Sequence, residues 1–288
     1  MPNYLHGLDL NLLHSFRVFV EERSVDGAAR RLGRSQPVIS ERLKQLQDQL
    51  GVRLLEKHGR RLQLTPAGRD LDRRLAPLLQ SLADTVEVTR AARTEPAGVL
   101  RVGVLPTVGV YVLAPRLASW LEAHEAVDVE MLTGLADDHL AALRRGEVDA
   151  VAGVGDPPHG ELAVDVLSLA RAVVVGRRGR VPASRAELRE HDWVAFGRIG
   201  DAFFDAVGAF MEREALATRI QVAHIQTLKA LVRAGLGLAI LPDYTVTEPD
   251  LEAWRPRGLK IEQPIWIATR RASADVPIVG SFRDALRS

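Results

Sequence analysis

The sequence of 288 residues contains no cysteine, and aromatic residues make up only 5% of it. Without thiols, the chain cannot form disulfides, thiolate metal sites or a cysteine nucleophile. No apolar run approaches the roughly 20 residues that a membrane-spanning helix needs. The first residues also lack the basic and apolar segments of a secretory signal. We therefore expect a cytoplasmic protein without a membrane partner.

Recognisable catalytic motifs are missing as well. The sequence has no GxSxG, Walker A or HExxH motif. Its eight histidines are scattered, and no two of them are four residues apart, as a helical zinc site would require. We therefore predict that the protein is not an enzyme and that it has no catalytic residues, no metal site and no cofactor. An enzyme on a two-lobe α/β scaffold is the more distant alternative.

Positive charge is concentrated in one part of the chain, although the net charge is only +1. Residues 28–61 contain nine Lys and Arg against three Asp and Glu. A basic segment of this kind is typical of a module that contacts phosphate groups. A basic face that is merely solvated is the alternative.

The first 65 residues carry the pattern of three helices and a hairpin. Residues 9–23 form an amphipathic helix, and Ser24 caps a shorter helix that Gly33 ends. A third helix over 35–50 has Pro37 in its first turn. Beyond it, two short alternating segments flank the turn KHGR and predict a β-hairpin. The side of the third helix that should pack on the other two carries Ile39, Leu43, Leu46 and Leu50.

Three helices followed by a basic hairpin predict a winged helix-turn-helix, whose third helix enters the major groove of DNA. The outward side of this helix is polar and lightly charged, and Ser, Gln and Lys side chains can hydrogen-bond to base edges. A polar face without a function is the alternative. The predicted contacts in and before the helix are Arg34, Ser35, Gln36, Pro37, Ser40, Glu41 and Lys44. The predicted contacts of the hairpin with the DNA backbone or minor groove are Lys57, His58, Arg60 and Arg61.

A long helix is predicted to begin at Thr65-Pro66, with Thr65 as its cap. Pro77 should kink or break this helix. Its apolar stripe has no evident partner in the first 65 residues, so we predict that a second chain covers it. Packing against the C-terminal domain of the same chain is the alternative. The predicted dimerisation residues are Leu71, Leu75, Leu78, Leu82 and Val86.

Beyond a hinge at 95–98, apolar strands alternate with helices. The strands at 99–105, 127–132 and 148–155 are almost continuously apolar, which predicts burial on both faces as in a parallel sheet. Ligands of such sheets bind beyond the carboxyl ends of the strands. Threonine hydroxyls beside helix N-termini suit a carboxylate, although ordinary capping is the alternative at each position. The predicted ligand contacts are Thr107, Thr133, Gly134, Gly155, Phe196, Gly197, Arg198, Gln226 and Thr227.

Several of these segments resemble a known family. AARRLGRSQPVIS and the TPAG that opens the long helix closely resemble the N-terminal signature of the LysR-type transcriptional regulators. A weaker resemblance in VLRVGV, RRGEVDAVAG and LVRAGLGLAILP extends over the rest of the chain. Two positions depart from the family pattern. Glu41 replaces a basic or neutral polar residue and could accept from a cytosine amino group, and Leu55 replaces a phenylalanine.

The resemblance implies a bacterial regulator with an α/β fold: an N-terminal winged helix-turn-helix, a long linker helix and a two-lobe α/β domain similar to type 2 periplasmic binding proteins. The implied domains are 1–65 for DNA binding, 66–95 for the linker and 96–288 for effector binding. Within the last, lobe I covers about 96–160 plus 266–288, and lobe II covers about 161–265.

The resemblance also implies partners. These are double-stranded DNA with an interrupted inverted repeat, a second or further copies of the chain in a dimer or tetramer, a small-molecule effector between the lobes, and RNA polymerase. At the matching positions, the family's DNA contacts would be Ser35, Gln36, Pro37 and Ser40. A constitutive DNA-binding protein with a vestigial solute-binding domain is the alternative.

Overall fold

The computed structural model of the chain describes residues 9–58, 61–91, 95–182, 184–197 and 202–287. The chain divides into two compact units, Met1–Glu87 and Val88–Ser288. Within the described ranges, no helix is both long enough and apolar enough to cross a membrane.

The first unit begins with three helices: α1 (Leu10–Glu22), α2 (Val25–Arg31) and α3 (Gln36–Leu50). The Ser24 side chain caps α2 by accepting from the backbone N–H of Gly27 at 3.0 Å, as predicted. Ser35 is at the N-cap position of α3 but makes no capping hydrogen bond with its side chain. The core between the helices consists of Leu12, Leu13, Phe16, Phe19, Ala28, Ala29, Ile39, Leu43 and Leu46.

Leu50 does not belong to this core, contrary to the prediction. Its side chain is 38% exposed. The helix ends at this residue, and Gly51 adopts a left-handed φ of 64° that turns the chain away. The apolar spacing of α3 therefore extends to Leu50, but the packing on α1 and α2 ends at Leu46.

A β-hairpin follows, formed by β1 (Leu55–His58) and β2 (Arg61–Leu64) in antiparallel pairing. The pairing extends to His58 and Arg61, so Lys57 and His58 lie in a strand and not in the predicted turn. Residues 59–60 are outside the described part of the chain. The Gln47 side chain on α3 accepts from the backbone N–H groups of Leu54 and Leu55 at 2.9 and 3.1 Å and so attaches the hairpin to the third helix.

The long helix α4 covers Pro66–Ala91. The Thr65 hydroxyl accepts from the N–H of Gly68 at 3.0 Å, which confirms its role as the cap. The helix continues through Pro77, so the predicted break does not occur.

The apolar stripe of α4 has two parts. Leu71 and Leu75 pack against the core of the three helices, so the prediction that they lack a partner in the same unit is wrong. Leu78, Leu82 and Val86 are exposed, with exposed fractions of 66%, 44% and 40%. Only this second part remains available for another chain.

The second unit contains a sheet in which β4, β3, β5, β11 and the first half of β6 are neighbours. Strands β3, β4 and β5 are parallel, and β11 runs antiparallel to β5 and β6. Helix α7 (Ala136–Arg145) packs on one face of this sheet. Helices α6 (Ala114–Glu122) and α10 (Pro277–Arg287) pack near the other face. The strands are β3 (Gly98–Val104), β4 (Val127–Thr133), β5 (Ala150–Val154), β6 (Leu162–Arg177) and β11 (Glu262–Arg270).

A second group of strands forms around the other half of β6. There, β9 (Ala239–Pro242) and β10 (Leu251–Trp254) pair with β6 in antiparallel orientation. A parallel pair, β7 (Trp193–Phe196) and β8 (Thr218–Val222), is connected to β9 through a bridge between Trp193 and Leu238. The sequence analysis did not predict β10. The helices of this unit are α5 (Pro106–Val108), α6 (Ala114–Glu122), α7 (Ala136–Arg145), α8 (Ala202–Arg213), α9 (Ile225–Arg233) and α10 (Pro277–Arg287).

Strand β6 therefore belongs to both groups of strands. Residues 162–171 pair with β11, whereas residues 172–177 pair with β9 and β10. The pairing changes near residue 171, about ten residues beyond the predicted start of lobe II. The predicted domain and lobe boundaries otherwise stay predictions.

Strand β4 corrects another prediction. Its apolar run VDVEML was expected to be buried on both faces, but most of the strand is accessible, including Met131 and Leu132. The reason is its position at the end of the strand order, where no strand of the described ranges pairs with its outer edge.

Candidate DNA-binding surface and effector cleft

The predicted DNA contacts of the third helix are all exposed. They lie away from Ile39 and Leu43, which the core buries. The structure therefore leaves one polar side of α3 accessible, as a helix that reads the major groove requires. This exposed set consists of Arg34, Ser35, Gln36, Pro37, Ser40, Glu41 and Lys44.

The Gln36 side chain is held by a residue that sequence analysis missed. Its Nε2 donates to Oδ1 of Asp26 at 2.9 Å, and the other carboxylate oxygen of Asp26 accepts from Arg30 at 2.7 Å. Further along α3, Glu41 accepts from Nε2 of Gln45 at 3.2 Å. Asp26 lies on α2, so only the packing of α2 on α3 brings it to Gln36.

A groove of about 620 Å³ separates α3 from the hairpin. Ser40 and Lys44 line it from the helix, and Lys57 lines it from β1. Lys57 and His58 are exposed in β1, and Arg61 is in β2. Arg60 lies outside the described residues. Lys44 and Lys57 therefore place a positive charge on each side of the groove.

The second unit has a cavity of about 150 Å³ between the helix that follows β3 and the start of α9. Three predicted contacts line it: Thr107, Phe196 and Gln226. Arg198 is outside the described residues. The predicted contacts that do not line the cavity are Thr133, Gly134, Gly155, Gly197 and Thr227.

The glycines among these residues serve packing instead. A Cβ atom at Gly134 would lie 2.8 Å from Nε2 of His139, and one at Gly197 would lie 2.4 Å from Cγ of Gln221. Gly155 has a φ of 107°, and its carbonyl oxygen accepts from Nε1 of Trp266 at 3.1 Å. Burial lowers the pKa of His139, against the opposing charge of Asp138. Thr133 and Thr227 do not line the cavity because their side chains face solvent.

Hydroxyl groups connect the two sides of the cavity. The Thr107 hydroxyl lies 2.9 Å from the Tyr244 hydroxyl. The Tyr111 hydroxyl accepts from Nε2 of Gln226 at 2.7 Å and from Nζ of Lys229 at 2.6 Å. Tyr111 belongs to a π-helical segment, Gly109–Leu113, a form that is frequent at functional sites. Sequence reasoning missed both tyrosines: Tyr111 lies seven residues beyond the end of β3, and Tyr244 lies two residues beyond the end of β9.

Lys229 is the buried charge behind this cavity, with an exposed fraction of 1%. An ammonium group has three protons to donate, and three acceptors surround it. They are the Tyr111 hydroxyl, the carbonyl oxygen of Thr245 at 2.7 Å and the carboxylate of Glu248 at 2.6 Å. Burial alone would raise the pKa of Glu248, but the hydrogen bond and charge of Lys229, together with hydrogen bonds from the backbone of Thr247 and Glu248, hold that pKa below its ordinary value.

Apolar side chains form most of the remaining wall. The rings of Phe196 and Phe204 are stacked, with centroids 4.1 Å apart. The polar groups at the wall are hydroxyl, amide and imidazole groups, including His224. Among the described residues, no carboxylate lines the cavity. Its apolar lining residues are Leu105, Pro106, Val110, Phe196, Phe204, Ala223 and Ile225.

One serine-histidine pair bears on the enzyme alternative. The Ser281 hydroxyl lies 3.0 Å from Nε2 of His124 and also accepts from Nε1 of Trp120 at 3.0 Å. Nδ1 of His124 faces the backbone carbonyl of Trp120 at 2.8 Å and not a carboxylate. A hydrolytic triad needs a third group that stabilises the charged imidazole, so this pair packs α6 against α10. Within the described residues, no group of three or more acidic or histidine side chains could hold a metal ion.

A winged helix-turn-helix with an accessible third helix, followed by an α/β unit with a small lined cavity, defines a DNA-binding regulator with a ligand domain. The family model described as "Bacterial regulatory helix-turn-helix protein, lysR family" matches residues 10–69. The model described as "LysR substrate binding domain" matches residues 93–288. The chain belongs to the LysR family of transcriptional regulators.

Curated relatives agree with this assignment. The chain is 30% identical to a probable hydrogen peroxide-inducible genes activator from Streptomyces viridosporus, over 96% of this chain and 93% of the relative. It is 26% identical to the HTH-type transcriptional regulator TfdS from Cupriavidus pinatubonensis, over 97% of this chain and 98% of the relative.

Solved structures share the fold. A cysteine-to-aspartate variant of full-length OxyR from Pseudomonas aeruginosa is 22% identical, with a TM-score of 0.76 over 98% of this chain and 95% of that one. Full-length CbnR in complex with its target DNA is 23% identical, with a TM-score of 0.61 over 97% and 99% of the two chains. The predicted fold class is thereby confirmed.

Proposed function

We propose that this regulator binds an interrupted inverted repeat as a homodimer or homotetramer and that a small molecule in the cavity of the second unit changes its activity. The observation that carries the effector part is the cavity itself, which Thr107 and Tyr111 line together with Gln226. The Tyr244 hydroxyl contacts Thr107 at this wall. Because each group of strands contributes donors to one small space, a bound molecule would hold the two groups together. Binding would thereby favour one relative placement of them.

The cavity suits a small and mostly apolar effector. A dry apolar cavity of about 150 Å³ holds a molecule of the size of benzene. The Thr107 hydroxyl, which can donate and accept, lines the cavity and is held 2.9 Å from the Tyr244 hydroxyl. The Tyr111 oxygen accepts two hydrogen bonds, so its own proton is free for donation. We therefore propose an effector with one aromatic ring or similar hydrocarbon body and an acceptor oxygen.

The response does not use a thiol, although one relative is named for induction by hydrogen peroxide. The sequence has no cysteine to oxidise. We propose that the protein needs no metal or other cofactor, that it is a regulator and not an enzyme, and that it acts on RNA polymerase at promoters. A regulator of transcription has to reach chromosomal DNA, so its proposed location is the cytoplasm.

Selection of genomic fragments by the purified full chain tests this proposal. We expect recovery of an interrupted inverted repeat, with an affinity that falls steeply as salt is raised. A panel of monocyclic aromatic acids, amides and aldehydes is then tested for a rise in melting temperature and a changed DNA footprint. A footprint that no stabilising compound changes would favour the constitutive binder. Recovery of no specific sequence would refute the DNA-reading role.

Replacing Gln36 by alanine should separate base readout from backbone contact. We expect Gln36→Ala to cost roughly 1–3 kcal/mol on the selected operator and to relax preference at one base pair. Lys57→Ala is the matched control, because a phosphate contact should weaken all sequences alike and lower the salt slope by about one. Binding titrations on operator and random DNA measure both. Equal losses on the two DNAs for Gln36→Ala would contradict its role as a base reader.

Filling the cavity should abolish the effector response and leave DNA binding intact. Ala223 lines the cavity, so Ala223→Phe places a ring where the effector would lie. We expect the shift in melting temperature caused by a stabilising compound to disappear. Ala230→Phe is the control, because Ala230 is an exposed residue of α9 that does not line the cavity. A full response in Ala223→Phe would place the effector elsewhere.

A further inference from the structure

The first turn of the third helix carries a side chain whose orientation is set from outside that helix. Asp26 lies in the first turn of α2, and Gln36 is the first residue of α3. The Asp26 carboxylate connects them, since one oxygen accepts from Nε2 of Gln36 at 2.9 Å and the other accepts from Arg30 at 2.7 Å. Arg30 and Asp26 are four residues apart on α2 and form an ion pair.

A carboxylate fixes which end of the amide faces it. Asp26 has only acceptor atoms when it is ionised, so it pairs with the NH2 group of Gln36 and not with the amide oxygen. A free glutamine can present either end to a base. Because Asp26 holds the nitrogen, the oxygen of Gln36 remains for another donor.

We propose that Asp26 is a positioning residue that makes Gln36 an acceptor in the major groove, so that Gln36 reads a base with an exocyclic amino group. The amino groups available there are N6 of adenine and N4 of cytosine. Without Asp26, the amide can turn its nitrogen to N7 or O6 of a purine. This inference rests on the proposed DNA-reading role of α3.

Charge makes this role distinguishable from simple helix stabilisation. Asp26 is the acidic residue in the first turn of α2, where a carboxylate also stabilises the helix. If that were its only role, removal would lower stability and weaken binding to every DNA. As a positioning residue, Asp26 repels phosphate while it sharpens base choice. Its removal should therefore strengthen binding to random DNA and weaken discrimination at one base pair.

The experiment uses the full chain and the operator selected by the wild type. The base pair that Gln36 reads is first located as the one at which Gln36→Ala loses its preference. At this pair, the adenine or cytosine is replaced by an analogue without the amino group, or the purine by its deaza analogue without N7. Affinities are measured for wild type, Asp26→Ala, Asp26→Asn, Gln36→Ala and the double variant Asp26→Ala/Gln36→Ala. Thermal unfolding shows that each variant folds, and the nearly isosteric Asp26→Asn serves if Asp26→Ala does not.

We expect loss of the amino group to lower the affinity of the wild type for the operator by about fivefold or more. The affinity of the Gln36→Ala variant should fall by less than about twofold. Asp26→Ala and Asp26→Asn should reduce the fivefold effect. In the Gln36→Ala background, Asp26→Ala should still strengthen binding to all DNA but should not change the effect of the amino group. Loss of N7 should weaken wild-type binding less than loss of the amino group does, because one of the two amide protons of Gln36 is already donated to Asp26.

Three results would overturn the inference: an amino-group effect that Asp26→Ala leaves unchanged, a loss carried by N7, or no base pair that responds to Gln36→Ala. Each presupposes that the wild type selects a specific operator. Failure of that selection would instead refute the proposed function.

Discussion

Replacing Leu78 and Leu82 together by lysine is expected to convert the protein to monomers and to weaken its binding to an inverted repeat about a hundredfold. Both side chains are exposed large apolar groups one helical turn apart on α4, and Val86 extends the row by another turn. Such a row is the surface that a second copy of α4 would cover. Linking two DNA-reading units in this way gives the dimer an avidity that each monomer lacks.

The choice of positions follows from the structure. Leu75 belongs to the core of the first unit, so a lysine there would unfold the domain and would not test association. The best-matched comparison is Leu82→Lys against Ala83→Lys, because these neighbours are both exposed but only Leu82 belongs to the row. Sedimentation velocity and operator titrations measure the result. An unchanged sedimentation coefficient for the double variant would show that association uses another surface.

Replacing Glu248 by glutamine is expected to lower the free energy of unfolding by about 3 kcal/mol, the lower end of the range for breaking a buried ion pair. Lys229 is 1% exposed and the Glu248 side chain is 22% exposed, so the ammonium would remain buried without its counter-charge. The Lys229→Met/Glu248→Gln double variant should recover part of the loss, because it removes the uncompensated charge.

The effect should depend on pH. The pKa of Glu248 is lowered on folding, since the hydrogen bond and charge of Lys229, together with hydrogen bonds from the backbone of Thr247 and Glu248, outweigh the opposing effect of burial. A carboxylate with a lowered pKa stabilises the fold above its ordinary pKa of about 4.3 and loses that stabilisation as the pH falls toward the lowered value. The difference between wild type and Glu248→Gln should therefore be constant above about pH 5 and shrink below pH of about 4.3.

Denaturant titrations at several pH values measure this difference. Arg233→Gln is the control, because Arg233 lies on the same helix as Lys229 and its ion pair with Asp250 joins side chains that are about half exposed. We expect a much smaller loss of stability for it, because solvent screens the charges of an exposed pair. Equal losses in the free energy of unfolding for Arg233→Gln and Glu248→Gln would show that the burial of Lys229 does not strengthen the Lys229–Glu248 ion pair.

Local patterns in the sequence were sufficient for the helices of the first unit. Capping by Ser24 and Thr65 and the apolar spacing of α1 to α3 depend on neighbouring residues, and the structure confirms them. The apolar stripe of α4 was also recognisable. Its partner was not, because periodicity shows that a face is apolar and not which surface covers it.

The cavity was only partly predictable for the same reason. Thr107 and Gln226 follow strand ends, where the rule for open sheets places ligands. Tyr111, Lys229 and Glu248 come together from positions up to 137 residues apart in sequence. No residue spacing in the sequence indicates that these three side chains are in contact. The edge position of β4 is likewise set by the order of the strands in the sheet and not by the residues of β4.

Because its apolar stripe has two parts, α4 links the core of the DNA-binding helices directly to the surface that a second chain would cover. Leu71 and Leu75 clamp its first turns to the core that also holds α3, whereas Leu78, Leu82 and Val86 are left for a partner. If two paired α4 helices rotated relative to each other, each α3 would therefore rotate together with the α4 of its own chain. Because B-DNA repeats every 10–10.5 base pairs or so, such a dimer measures the helical phase between its half-sites. Its operators should tolerate a spacer longer by one full turn far better than a spacer longer by half a turn.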